Sequence, residues 1–419
     1  MTQSYDVIIL GAGASGLFTA INIAEGAPHK RILILEKGKE ALGKVRISGG
    51  GRCNLTNGET NLREFVKNYP RGNRELLSAF SRFSNKDTMK WFETHQVALK
   101  EEADGRIFPV SNSSQTIIDC FLSLAKKYNI EILYKQNVHA FSFEKEEWKV
   151  QATEVFHSRN LVVATGSNPK VWQLLSQLGH TIVPPVPSLF TFATEDSFIE
   201  GLAGVSKEVN AKLLATDHSP LKIPLLEKQG LVGALLVTHW GFSGPVILRL
   251  SAFAARILAQ LDYKFSLQIN WLAEGEESLN AEETLAILQE EKQKHPRKEL
   301  QNHCPFNLTK KLWNKLLERS GVLPHQLWAE LNKGQLHTLT QTLTASTFLI
   351  HDKAPFKEEF VTAGGVSLKE IDFKNFRSKL FPTLYIGGEA LDIDAITGGY
   401  NFQNAWSSGY LIAEGVISE

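Results

Sequence analysis

Gly11, Gly13 and Gly16 stand in G-x-G-x-x-G spacing, and Glu36 follows the last of them by twenty residues. Glycines at these intervals make a tight turn, let an anion touch the main chain, and let a helix lie close on a sheet. A carboxylate at the later position can accept hydrogen bonds from ribose hydroxyls. The chemistry is dinucleotide binding, with phosphate at backbone N–H groups and sugar at the acid. A second run, KVRISGGGRCNLTN at residues 44–57, sets Gly49, Gly50 and Gly51 between Ser48 and Arg52. Lys44 precedes it, and Cys53 and Asn54 follow directly. Three consecutive glycines do not fill a core; they let main chain approach something closely, here between cations.

Such residues need a strand to present them and a helix to receive the phosphates. YDVIILGAGASGLFTAINIAEGAPHKRILILEK reads as strand, turn, helix and strand. Val7 to Leu10 is continuously apolar, as a strand buried on both faces requires. Ala14 and Ser15 open the helix, whose free N–H groups and dipole favour an anion. Ile32 to Leu35 forms the second strand and delivers Glu36 and Lys37. A further apolar strand, NLVVATGS, ends in Thr165 and Gly166. Near the C-terminus a strand ends at Gly387, Gly388 and Glu389, and Gly398-Gly399 precede a helix that starts with Tyr400 and Asn401. One ligand spanning two helix N-termini must be long, with a polar chain and a ring system, which points to noncovalent FAD.

The chain has 419 residues, 43% hydrophobic and 21% charged, the balance of a globular protein with more than one domain. Lysine plus arginine and aspartate plus glutamate each number 45, so the whole molecule has no charge-driven attraction to nucleic acid or anionic membrane. Cys53, Cys120 and Cys304 offer no disulfide framework and no metal spacing, which suggests a cytoplasmic setting. The N-terminus reads as a strand rather than a signal peptide, and no membrane partner is expected. The expected fold is α/β: a discontinuous Rossmann FAD domain of residues 1–187 and 350–419, a mostly β insertion of 188–272 and 336–349, and a helical piece of 273–335.

The strings GAGASG, SGGGRCNLTN, ATGS, THWGFSGP, GGVSLKEID and GGEALDIDAITGGYNFQNAW, in this order, make the chain resemble the YhiN-like flavoproteins. These are also described as aminoacetone oxidase-like or BaiN-like and belong to the glutathione-reductase-like FAD superfamily. The chain departs from them in reading Phe376-Arg377-Ser378-Lys379 and Gly387-Gly388-Glu389 before and after the last strand. The resemblance implies that the loop of Gly49, Gly50 and Gly51 lies along FAD. Lys44 and Arg52 would then supply charge, Ser48 and Asn54 neutral hydrogen bonds, and Val138 a backbone contact to adenine. Cys53 reads either as a packed small residue or as a redox partner of the ring.

His239, in VTHWGFSGP, is the one catalytic candidate, to bind substrate or move a proton; the other reading is that it fixes a bend. Ser243 lacks G-x-S-x-G spacing and a triad, which excludes hydrolase chemistry. Residues 273–291 hold seven acids and no base, while 292–319 hold eight bases. That basic stretch is either a solvated helix face or a contact for RNA. The resemblance favours two-electron reduction of a polarised C=C, uracil in RNA included, with NAD(P)H as a transient donor. Oxidation of an amine of the aminoacetone type and an RNA-binding flavoprotein without turnover are the alternatives, and the substrate is a small molecule or an RNA base.

Overall fold

The structure is a computed structural model that describes residues 4–223, 226, 230–275, 277–354 and 361–419. The chain folds as two compact units, one of residues 1–186 and 362–419, the other of residues 187–361.

In the first unit, β1 (Ser4–Leu10), α1 (Ala14–Gly26) and β2 (Ile32–Leu35) form the expected βαβ unit. Val7, Ile8 and Ile9 are completely buried, so their run of branched side chains meets apolar neighbours on both sides of the sheet. Five parallel strands lie in the order Leu384–Ile386, Val155–Val163, β1, β2, Glu131–Leu133. Their register aligns the carboxyl ends: Leu10 pairs with Leu35 and with Val163, and Val163 pairs with Ile386. Chain positions far apart in sequence therefore leave the sheet side by side. Gly11 N–H donates to Leu35 O, Ala164 N–H to Leu10 O, and Gly387 N–H to Val163 O. Ligands of open α/β sheets bind at this carboxyl edge, where the strand order reverses around the first strand. The α/β Rossmann class expected from the sequence is the one observed.

The C-terminal helix Tyr400–Ile417 packs along α1. A Cβ on Gly409 would lie 3.0 Å from Ser15 O, and one on Gly26 would meet the Ile417 side chain. Low numbers thus meet low numbers and high meet high, so the two helices run parallel. Close approach at Gly409 needs the absence of a side chain.

The second unit is built on an antiparallel sheet whose described strands run Ser346–Ile350, Phe265–Asn270, Ser206–Leu214, Leu231–Val237, Gly241–Ser243, Phe192–Ala193, Asp352–Lys353. Helical residues 273–335 do not stand apart from it. Leu288, Leu312, Trp313, Leu316 and Trp328 share one core with Val209, Leu235, Leu267 and Phe348 of the strands. An amphipathic helix buries its apolar stripe on whatever face is nearest, and here the sheet offers that face. The return to the first unit also falls later than residue 350, because Ser346–Ile350 and Asp352–Lys353 still pair within this sheet. Among the described residues no helix is long and apolar enough to cross a membrane.

Candidate functional site

The three glycines of the first turn are held for different reasons. Gly11 has φ +102°, and a Cβ there would lie 2.6 Å from Ala164 O. A Cβ on Gly16 would overlap the Gly11 carbonyl oxygen. Both are therefore required by the protein itself. Gly13 is not. Its φ of −84° and ψ of −168° suit any residue, and a Cβ there would meet no described heavy atom within 4 Å beyond its chain neighbours. No side chain caps α1 at this point. What the structure shows at Gly13 is an open cradle beside free helix N–H groups, the arrangement that accepts a phosphate.

Glu36 closes the same edge. Its carboxylate accepts from Ala12 N–H at 2.7 Å and from Gly38 N–H at 2.5 Å, which fixes it beside the glycine turn. A cavity of about 150 Å³ opens here, lined by Gly11, Glu36, Lys37, Val138 and Thr165 among others. Thr165 Oγ1 is buried on this wall without a hydrogen-bond partner among the described residues. A buried hydroxyl normally has one, so this atom is suited to a polar ligand. The cavity is the size of one end of a dinucleotide rather than the whole of it. Gly166, with φ +60°, brings its main chain next to the Glu389 carboxylate.

The second glycine run is a left-handed turn. Gly49, Gly50 and Gly51 have φ of +56°, +67° and +82°, which L side chains resist, and Cβ atoms on Gly50 or Gly51 would enter open space. The flanking polar side chains have partners within the protein. Lys44 Nζ pairs with Glu389 Oε2 at 2.6 Å. Arg52 is not a free cation: it pairs with Glu102 at 2.7 Å and lies over the Phe108 ring. Ser48 Oγ donates to Val45 O. Cys53 is fully buried, and burial pushes its thiol up to about 12 against a smaller opposing hydrogen bond from Ser48. That describes a packed cysteine rather than a reactive one. With its amide turned to satisfy both ends, Asn54 donates to Thr56 O and Ile107 O and accepts from Gly399 N–H at 3.0 Å. Asn54 is thus a tie between the loop and the C-terminal helix.

That helix begins at Gly399, with φ +91° and no side-chain cap; a Cβ there would overlap the Thr56 carbonyl. Tyr400 is buried, and its carbonyl accepts from Tyr69 OH. Asn401 turns back to bond Ala395 N–H and Ala395 O, so it braces the preceding loop. Ser15 lies opposite Ser408 and Gly409, and Ser408 Oγ accepts from Gly388 N–H. With Ser15 opposite Ser408, the C-terminal helix starts seven residues further out than α1, about 10 Å at 1.5 Å per residue. Two uncapped N-termini therefore point the same way along the carboxyl edge, offset by a distance an extended dinucleotide can bridge.

Several supports escape sequence reading. Arg71 makes a paired contact with the fully buried Asp394, and Ile396 N–H donates to Asn68 O. Thr56 Oγ1 donates to Gln403 Oε1 at 2.7 Å. Spacing reveals none of these, since partners lie more than three hundred residues apart. Ser378, His180 and Glu370 also form a chain, with Ser378 Oγ 3.0 Å from His180 Nε2 and His180 Nδ1 2.8 Å from Glu370 Oε2. The order is that of a hydrolase triad, but Ser378 is buried and its oxygen already accepts from Leu380 and Phe381 N–H. It is a clamp.

In the second unit, His239 and Trp240 are the two tip residues of a tight hairpin closed by Thr238, whose hydroxyl accepts from the N–H groups of Trp240 and Gly241. His239 is exposed and borders an open cavity of about 610 Å³ with Glu195, Asp196 and Glu200. The basic stretch is divided. Lys292 donates to Leu331 O, and Arg319 pairs with Asp196 and stacks on Phe348. Lys294 and Lys315 pair with Glu290 and Glu318. Arg297, Lys298, Lys310 and Lys311 are exposed.

A family model described as "HI0933-like protein Rossmann domain" matches residues 5–415. The "Ribosomal RNA dihydrouridine synthase" of Haemophilus influenzae is 29% identical, covering 99% of this chain and 98% of that protein. The "3-dehydro-bile acid delta(4,6)-reductase" of Clostridium scindens is 27% identical, covering 96% of this chain and 97% of that one. Among solved structures, the 3-ketosteroid-delta4-(5alpha)-dehydrogenase of Rhodococcus jostii RHA1 has a similar fold, with a TM-score of 0.51 at 12% identity over 99% of this chain and 97% of that one.

Proposed function

The chain belongs to the HI0933-like Rossmann family and is an FAD-dependent oxidoreductase; we propose that its reaction is the two-electron reduction of a C=C bond polarised by a carbonyl. The uracil ring of RNA is the first candidate substrate, and NAD(P)H the electron donor. The two relatives named above carry names that describe adding two hydrogens across such a bond. The observation that carries the cofactor reading is Gly13, a glycine that neither its dihedrals nor its neighbours require.

FAD, once bound and reduced by the nicotinamide, would supply the hydride. The protein supplies position and charge. In this reading the N–H groups around Gly13, Ala14 and Ser15 take the pyrophosphate, and Glu36 takes the ribose. Val138 and Thr165 line the nucleoside end. The N-terminus at Gly399 and Tyr400 would offer a favourable dipole to negative charge on a bound flavin ring. Left-handed Gly50 and Gly51 would let the loop approach the cofactor without side chains in the way. His239 is the imidazole assigned to bind the substrate or give it a proton. Exposed Arg297, Lys298, Lys310 and Lys311 form the surface assigned to RNA phosphates.

The donor half is tested by anaerobic mixing with NADH, NADPH and a panel of amines while flavin absorbance is followed. Bleaching by a nicotinamide supports the reading. Bleaching by an amine alone, with reoxidation by oxygen, replaces it with amine oxidation. His239→Ala should slow substrate turnover while FAD content stays constant; unchanged turnover returns His239 to the turn that holds it.

A further inference from the structure

In the second unit, two imidazoles converge on one carboxylate oxygen. Glu291 lies in the last turn of the helix Ala281–Lys294, and His295 follows it by four residues at the helix end. His303 comes from the short turn after Leu300–Asn302. His303 Nε2 lies 2.6 Å and His295 Nε2 3.7 Å from Glu291 Oε2, and all three ligand atoms are within 4.8 Å of one another. The rings meet edge to face at 4.4 Å. All three side chains are partly buried, the carboxylate most of all.

We infer that Glu291, His295 and His303 form a binding site for a divalent late first-row transition metal of the zinc class. Two imidazole nitrogens and one carboxylate oxygen suit that class, and three protein ligands leave one position for water. Ligand atoms about 2.0–2.1 Å from zinc in tetrahedral array stand roughly 3.3 Å apart. The observed N···O separations of 2.6 Å and 3.7 Å lie on either side of that value, so a sub-ångström turn of the carboxylate evens them toward it.

The scaffold is already fixed. Leu300 N–H donates to Gln326 O, Trp328 N–H to Lys298 O, and Trp313 Nε1 to Leu300 O at 2.6 Å. The segment bearing His303 is thus held before any ion arrives, and the ion would cross-link it to the helix end. Binding has a local cost. Lys298 Nζ lies 3.4 Å from His303 Nδ1. When Nε2 binds metal, Nδ1 must carry the proton, and the ammonium must swing away. Lys298 therefore opposes the metal twice, by its charge and by its hydrogen bond.

The test uses the full chain, stripped with chelator and titrated with Co2+, whose visible bands report low-coordinate nitrogen and oxygen ligands. One equivalent should bind and be displaced by Zn2+. His303→Ala and Glu291→Gln should each weaken binding at least about tenfold, the usual loss with a ligand or its support. Lys298→Ala should tighten it several-fold, and this arm does not depend on variants that remove a ligand. Flavin absorbance of every variant serves as the folding control. No bands beyond those of aqueous Co2+, or equal affinity in parent, His303→Ala and Glu291→Gln, would leave a hydrogen-bonded triad only and overturn the inference. Lys298→Ala without tighter binding would overturn it as well.

Discussion

Replacing Gly13 by alanine separates what the fold needs from what the cofactor needs. In the apoprotein the change is nearly neutral. The backbone at φ −84° accepts alanine, and no described neighbour lies within 4 Å of the new methyl. Removing a glycine from the unfolded chain contributes about 0.4–1 kcal/mol of stability. Alanine is poorer than glycine just before a helix by roughly 0.5–1 kcal/mol. The two offset each other. With FAD the methyl stands where the pyrophosphate approaches the helix N-terminus. Each hydrogen bond to a charged acceptor contributes about 1.5–3 kcal/mol, so losing one weakens binding roughly 10- to 100-fold. Gly16→Ala is the control with the opposite signature. Its methyl collides with the Gly11 carbonyl, and overpacking of that kind costs about 1–3 kcal/mol in the apoprotein. Urea unfolding of apoprotein and titration with FAD by fluorescence quenching read both quantities. Parental FAD affinity in Gly13→Ala would refute the reasoning. So would an apoprotein destabilised as much as Gly16→Ala.

Arg52→Ala should change FAD affinity less than about twofold, because Glu102 already matches that charge, whereas Glu36→Gln should weaken FAD by tenfold or more; equilibrium titration of the two variants gives the comparison. Burial pushes the Glu370 carboxyl up, but hydrogen bonds from Thr181 and His180 outweigh it and hold the group below its ordinary value. Its contribution is therefore present above the unfolded value of about 4.3 and lost as pH falls through the lower folded one. Thermal melts from pH 7 down to 3 should show the advantage of the parent over Glu370→Gln shrinking in the acid range; an advantage that grows on acidification contradicts the sign. Reversing Lys310 and Lys311 to glutamate should lower RNA affinity and its salt slope together, by roughly 0.7 per lost contact on single strands, with FAD content unchanged. Unaltered RNA binding in that variant would leave a small-molecule substrate as the better reading.

The βαβ start was legible because its signals are local. A doubly buried strand, a tight turn and an acid at the next strand end each leave a mark within a few residues. Much of the carboxyl edge of the sheet was legible for the same reason, since three of its five parallel strands run out into glycine or threonine, at Gly11, Thr165 and Gly387. Side-chain partnership was not. Arg52 looked like a free cation because Glu102 is fifty residues away, and Asn54 looked like a ligand contact because its bond to Gly399 crosses most of the chain. The helices of residues 273–335 show their apolar stripes plainly, but a stripe does not say which sheet it will cover. Gly50 and Gly51 carried two reasons at once, a left-handed turn and open space beside it, and sequence alone suggested only close approach.

The central claim, reduction of a carbonyl-polarised C=C on FAD, is tested most directly at the acceptor half. Protein reduced by one equivalent of NADPH under anaerobic conditions is mixed with unmodified ribosomal RNA fragments or with an enone. Flavin absorbance is recorded together with the mass of the product. The account predicts return of oxidised flavin and a product heavier by two hydrogens, one per flavin. Flavin that stays reduced with every such acceptor, yet is reoxidised by oxygen after bleaching by an amine, would contradict it.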